Sequence, residues 1–149
     1  MTPKQQLDSF LAKYEPEMAA LGRRVLAKLR KLTPGAVEMV YDSHNALVIG
    51  FSASERPSDA VLSIGLYTGW VNLYFLEGAI LPDPHGLLRG KGNQVRSIRV
   101  EDAAALDDPQ VVSLIKVAVK MSDAPFDAKK KRTMVIRAVA KKQRPRRKI

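Results

Sequence analysis

The stretch LPDPHGLLRGKGNQVR, residues 81–96, gathers many of the side chains in this chain that could do chemistry. It holds His85, the cations Arg89, Lys91 and Arg96, the Asn93 amide, and Gly86, Gly90 and Gly92. Glycines let backbone N–H groups approach an anion and the cations add charge, so one reading is a phosphate cradle. The other is a shaped connection whose prolines and glycines set turns. The GxxxxGK[ST] spacing of a P-loop is absent, and the next element reads as a strand rather than the helix a P-loop needs. Long irregular loops are often functional, so both readings stay open.

Acid–base and metal chemistry have little to draw on. The chain has no cysteine, which excludes disulfides, thiolate metal sites and cysteine nucleophiles. Its two histidines, His44 and His85, each follow an aspartate by two residues, in sequences that read as solvated turns. No nucleophile-elbow, HExxH or EF-hand spacing is present. Neither catalytic residues nor metal ligands are assigned, and no cofactor is expected.

Charge points to an anionic partner. All acidic residues lie at or before Asp127, so the first 127 residues carry fourteen cations against fifteen carboxylates, net −1. The remainder carries eleven Lys and Arg and no carboxylate, which gives the overall +10. A basic tail on a near-neutral body suits a polyanion, with Lys141, Lys142, Arg144, Arg146 and Arg147 as candidate phosphate contacts. Such binding would be non-specific, because no RNA-recognition, KH or helix-turn-helix signature accompanies it. A solvated tail is the competing reading.

These side chains need elements to position them. Residues 3–32 read as a short helix near Gln5–Lys13 and a long one from Glu15, stopped by Thr33-Pro34-Gly35. Segments 36–42, 45–52, 60–68 and 70–78 alternate with period two and read as an antiparallel meander. In the first, Val37, Met39 and Tyr41 alternate with Glu38 and Asp42. The later strands have an aliphatic face (Leu47, Ile49, Phe51, Leu62, Ile64, Leu66, Val71, Leu73, Phe75) that should pack on a helix. The opposite face is small, aromatic and polar: Gly50, Ser63, Gly65, Tyr67, Trp70, Asn72, Tyr74. It is either closely packed by a helix, with Trp70 as an anchor, or a groove in which Trp70, Asn72 and Tyr74 meet a ligand. VRSIRV (95–100) is a fifth strand candidate, with Arg96 and Arg99 on opposite faces. Asp107-Asp108-Pro109 opens an apolar helix that should cover the second sheet face or lie beside the long helix. TMVIRAVA (133–140) is a strand or short helix, with β-branched content favouring strand. KKQRPRRKI has almost nothing to bury and is expected to be disordered or extended.

The wording YDSHNALVIGF, WVNLYFLEGA, LPDP and LLRGKGNQVR resembles the YdhG-like family, domain of unknown function 1801. The resemblance covers residues from about 15 to 121, and the ending IRAVAKKQRPRR looks like one branch of that family. It implies a compact α+β domain and supplies no agreed catalytic residues. Some relatives are described as frataxin-like iron chaperones, which implies exposed carboxylates on the first helix and an edge strand. Here Glu15 and Glu17 are followed by the basic Arg23, Arg24, Lys28 and Lys31.

The resulting expectation is one α+β domain at 1–128, with an antiparallel five- to six-stranded sheet flanked by N- and C-terminal helices. A partly disordered basic segment follows at 129–149. The expected function is a small, cytoplasmic, non-enzymatic binding domain for an anionic ligand or nucleic acid. Arg89, Lys91, Asn93, Arg96, Trp70, Asn72 and Tyr74 would form its site, and frataxin-like iron binding is the alternative. No membrane span is expected, because no apolar run is long enough.

Overall fold

The computed structural model describes residues 1–148. Three helices, α1 (Pro3–Leu11), α2 (Pro16–Leu32) and α3 (Pro109–Lys120), pack on a six-stranded sheet. Its strands are β1 (Val37–Asp42), β2 (Leu47–Ser52), β3 (Ala60–Leu66), β4 (Val71–Phe75), β5 (Arg96–Val100) and β6 (Thr133–Val139), in the order β5-β4-β3-β2-β1-β6. No helix among the described residues is long and apolar enough to cross a membrane.

Local sequence explains the helix starts. Thr2 caps α1 in a reciprocal capping box with Gln5, and Asp108 caps α3 by accepting from the Gln110 N–H. Each of the three helices has proline in its first turn. Val25, Leu26 and Leu29 of α2 face the aliphatic side of the sheet, where Leu47, Ile49, Phe51, Leu62, Ile64, Leu66, Val71, Leu73 and Phe75 are all buried. Burying each such side chain stabilises the fold by roughly 1.5–3 kcal/mol. Gly22 lets α2 sit close: a Cβ there would lie 2.5 Å from Leu66. Tyr14, between α1 and α2, donates its hydroxyl to the Leu66 carbonyl at 2.6 Å and accepts from the Leu47 N–H at 3.1 Å. That one phenol ties the helix layer to β2 and β3.

The four-strand meander and fifth strand are antiparallel, as the alternation predicts. β6 departs from that pattern. It is a strand, in line with its β-branched content, but it runs parallel to β1 from Val37↔Thr133 to Asp42↔Val139. Nor is the basic segment a disordered appendage. Its strand completes the sheet, and Arg146 is buried. The buried carboxylates of β1 supply what composition could not reveal.

Glu38, Val40 and Asp42 pair with Phe51, Ile49 and Leu47, so the two acids share the helix-covered side and are fully buried. Each is held from two directions. Asp42 receives Lys13 at 2.7 Å and Arg146 at 2.9 Å. Glu38 receives Arg30 through two 2.9 Å hydrogen bonds and Arg132 at 3.0 Å. Arg132 also donates to the Arg30 and Thr33 carbonyls. In both clusters one cation comes from the N-terminal helical region and one from the C-terminal segment. Ile149, the last residue of that segment, lies outside the described residues.

Candidate functional site

The 81–96 loop satisfies its own polar groups. Asp83 accepts from the Leu87 and Leu88 N–H groups at 2.9 and 3.0 Å, so a resident carboxylate takes two of the loop's backbone donors. These backbone bonds hold the Asp83 carboxyl below its ordinary range. Arg96 turns inward and donates to the carbonyls of Gly92, Val95 and Lys91. Arg89 donates to the Gly86 carbonyl, and its backbone pairs with Ser97 on the outer edge of β5. Lys91 and Asn93 are exposed on the same loop. Of the cradle expected around Arg89, Lys91, Asn93 and Arg96, the two guanidiniums are engaged by loop carbonyls, whereas the Lys91 and Asn93 side chains stay exposed.

Trp70, Asn72 and Tyr74 do come together, on the sheet face opposite the helices. α3 lies beside α2 instead of covering that face. Cross-strand pairing lays out its floor in two rows. One runs Arg89, Ser97, Tyr74, Ser63, Gly50, Met39. The other runs Arg99, Asn72, Gly65, Val48, Tyr41. Gly65 makes room for aromatic rings: a Cβ there would lie 3.1 Å from the Tyr67 ring and 3.3 Å from the Tyr74 ring. The close packing expected at this glycine is thus supplied by tyrosines rather than a helix.

The Tyr67 and Tyr74 hydroxyls meet at 2.5 Å, and the Asn72 amide donates to the Tyr74 oxygen at 3.1 Å. Burial, followed by the Tyr74 contact, pushes the Tyr67 phenol well above its ordinary pKa. It stays protonated at neutral pH and is part of a structural hydrogen-bond pair, not a base. Trp70 stacks on Tyr67 with centroids 4.8 Å apart and planes 9° from parallel. The Arg99 guanidinium lies over the indole at 5.3 Å, a cation–π contact. Trp70 is 38% exposed, so this column of two rings and a guanidinium reaches solvent.

The C-terminal segment completes the site. The Ala140 and Arg144 N–H groups donate to the Asp42 and His44 carbonyls, extending the chain past β6 across the end of the sheet. Thr68 donates to the Pro145 carbonyl at 2.5 Å. Asn45, Tyr67, Thr68, Trp70 and Arg144 then line a cleft of about 230 Å³. Asn45 and Arg144 are both exposed at this cleft. A cleft of similar volume lies at the opposite end of the sheet, but Asp59, Glu77 and Asp123 line it and would repel an anion.

The basic tail residues have different roles. Arg146 is buried on Asp42 and donates to the Ser43 carbonyl, with its Nε left unpartnered. Arg147 donates to the Ala12 and Lys13 carbonyls just past α1. Arg144, Lys141 and Lys142 remain exposed. His44 donates its Nδ1–H to the Lys142 carbonyl at 3.0 Å, and Asp42 is committed to its cations, so the Asp–Ser–His sequence forms no acid–base pair.

The alternation places Tyr67, Trp70, Asn72 and Tyr74 on one face but leaves Arg99 and Asn45 off the site. Arg99 was traceable, since period two separates it from Arg96. Asn45 was not, because only the returning tail makes the β1–β2 turn a cleft wall. No protein-family model matches the chain, and no curated protein or solved structure matches it significantly.

Proposed function

We propose that the protein is a small, non-enzymatic binding domain that takes an anionic ligand on the open sheet face, at the end marked by Trp70. The observation that carries this reading is the Tyr67–Trp70–Arg99 column beside the Arg144 cleft. The two rows of the sheet floor contain no carboxylate, and one of them ends at Arg99. Cations bordering a floor without carboxylates raise the local potential and favour an anion. The similarity to YdhG-like domains remains part of this proposal, on the motifs quoted above. Its frataxin-like iron alternative gains no support here: among the described residues no three His, Asp or Glu side chains come together to hold a metal.

Trp70 is the only tryptophan, so its emission reports directly on the site. Inorganic polyphosphate titrated at low salt should change that emission, and the Arg99→Glu/Arg144→Glu double variant should lose the response. An unchanged affinity in the double variant would remove the assignment to this face.

A further inference from the structure

We infer that the anion is a single-stranded nucleic acid whose bases stack at the Tyr67–Trp70 column while its phosphates lie along Arg99, Arg144 and the exposed tail lysines. This rests on the anion-binding reading and makes it specific. A small inorganic anion needs only charge and N–H donors, and the 81–96 loop commits its Leu87 and Leu88 N–H groups and its Arg96 internally. The open face differs in offering solvent-reaching ring surface next to cations. That pairing of stacking platform and positive charge suits an unpaired base on a phosphodiester backbone. A duplex hides its base faces between neighbouring pairs and offers none to a flat aromatic column.

Three further features fit a strand rather than a lone nucleotide. The cations are spread along the face: Arg99 on β5, Arg144 in the segment crossing beside Asn45, and the exposed Lys141 and Lys142 before it. Between the aromatic end and β1 the floor is low, with Ser63 and Gly50 adjacent in one row. A Cβ on Gly50 would meet only strand carbonyls, at 3.9 and 4.0 Å, so no side chain stands directly on it, although Gly50, Ser63 and Met39 are themselves buried. Finally, Asn45 presents both an amide donor and a carbonyl acceptor at the cleft, able to meet a base edge. Arg99 already stacks on the indole, and a base can add to that column or displace the guanidinium towards a phosphate.

The test uses the full chain and four probes: oligothymidylate of about ten nucleotides, an abasic phosphodiester of equal length, a duplex of equal length, and inorganic polyphosphate. Binding is read by anisotropy of the labelled strands and by competition for polyphosphate. Oligothymidylate should bind roughly tenfold or more tighter than the abasic strand. Trp70→Ala should erase that difference, whereas Trp70→Phe should retain most of it. A log–log salt slope of about −2 is expected for contact with some three phosphates on a single strand. If the abasic strand or duplex binds as well as oligothymidylate, base stacking is overturned while the anion reading survives. If no probe binds, polyphosphate included, both readings fall.

Discussion

The 81–96 loop and the C-terminal segment look alike in sequence, both irregular, proline-bearing and basic, yet the protein uses them in opposite ways. The loop closes on itself. Asp83 takes its N–H groups and Arg96 takes its carbonyls, all within a few residues. The segment reaches outward: Arg132 crosses to Glu38, Arg146 to Asp42 and Arg147 to the carbonyls after α1. A basic residue therefore has no fixed meaning from its local surroundings. Its role depends on whether the fold buries a carboxylate within its reach.

The contrast is sharpest at Arg146. Removing one partner of a buried pair leaves an uncompensated charge, which costs about 3–5 kcal/mol where both groups are sequestered. Arg146→Ala should approach the lower end of that range, about 3 kcal/mol, because Lys13 still reaches Asp42. Urea denaturation measures it, and a loss below about 0.5 kcal/mol would return the segment to the status of a loose tail. Arg132→Ala should cost less, about 2 kcal/mol, since Arg132 is partly exposed and Arg30 keeps two bonds to Glu38.

Acid probes the same clamp. Burial alone would raise the Asp42 carboxyl, but hydrogen bonds from Lys13, Gln143 and Arg146 outweigh it and hold the group below its ordinary value of 3.8. A carboxyl depressed in the folded state contributes stability above its unfolded pKa and loses it as pH falls through the folded one. Stability should therefore decline as pH drops below about 4. Urea midpoints followed down this range should show a smaller decline in Asp42→Asn than in wild type. Equal declines would assign the acid sensitivity elsewhere.

The loop gives the smallest effect. Arg96→Ala removes exposed hydrogen bonds to neighbouring carbonyls and should cost under about 1 kcal/mol. It should also leave polyanion affinity unchanged, while Arg99→Ala, three residues on and on the opposite face, weakens it. If Arg96→Ala weakened binding as much as Arg99→Ala, the loop would have to be restored to the site.

Most of the sheet was legible because its strands are local. Period-two alternation assigned the faces of β2, β3 and β4 residue by residue, and Asp108-Pro109 marked the start of α3. β1 resisted the same logic. Alternation sets Glu38 and Asp42 apart from Val37, Met39 and Tyr41 but does not show that the acids are the buried set, because a buried carboxylate is costly unless paired and the partners of Asp42 and Glu38 lie in distant parts of the chain. The site was half legible for a related reason. Trp70, Asn72 and Tyr74 follow one another at alternate positions, whereas Asn45 and Arg144 meet them only through the path of the last strand.

That path also dictates an order of events. β1 emerges early in synthesis, but the strand that shields its outer edge is made only after α3. Until then β1 exposes unpaired backbone groups to any neighbouring chain, a known route to aggregation. Pairing so remote in sequence, and parallel besides, is intrinsically slow to form. The strand added last thus brings the cations that Asp42 and Glu38 await and removes a sticky edge in the same step. Nascent chains arrested before Thr133 should be the aggregation-prone species, and a matched chain ending after Arg147 should not.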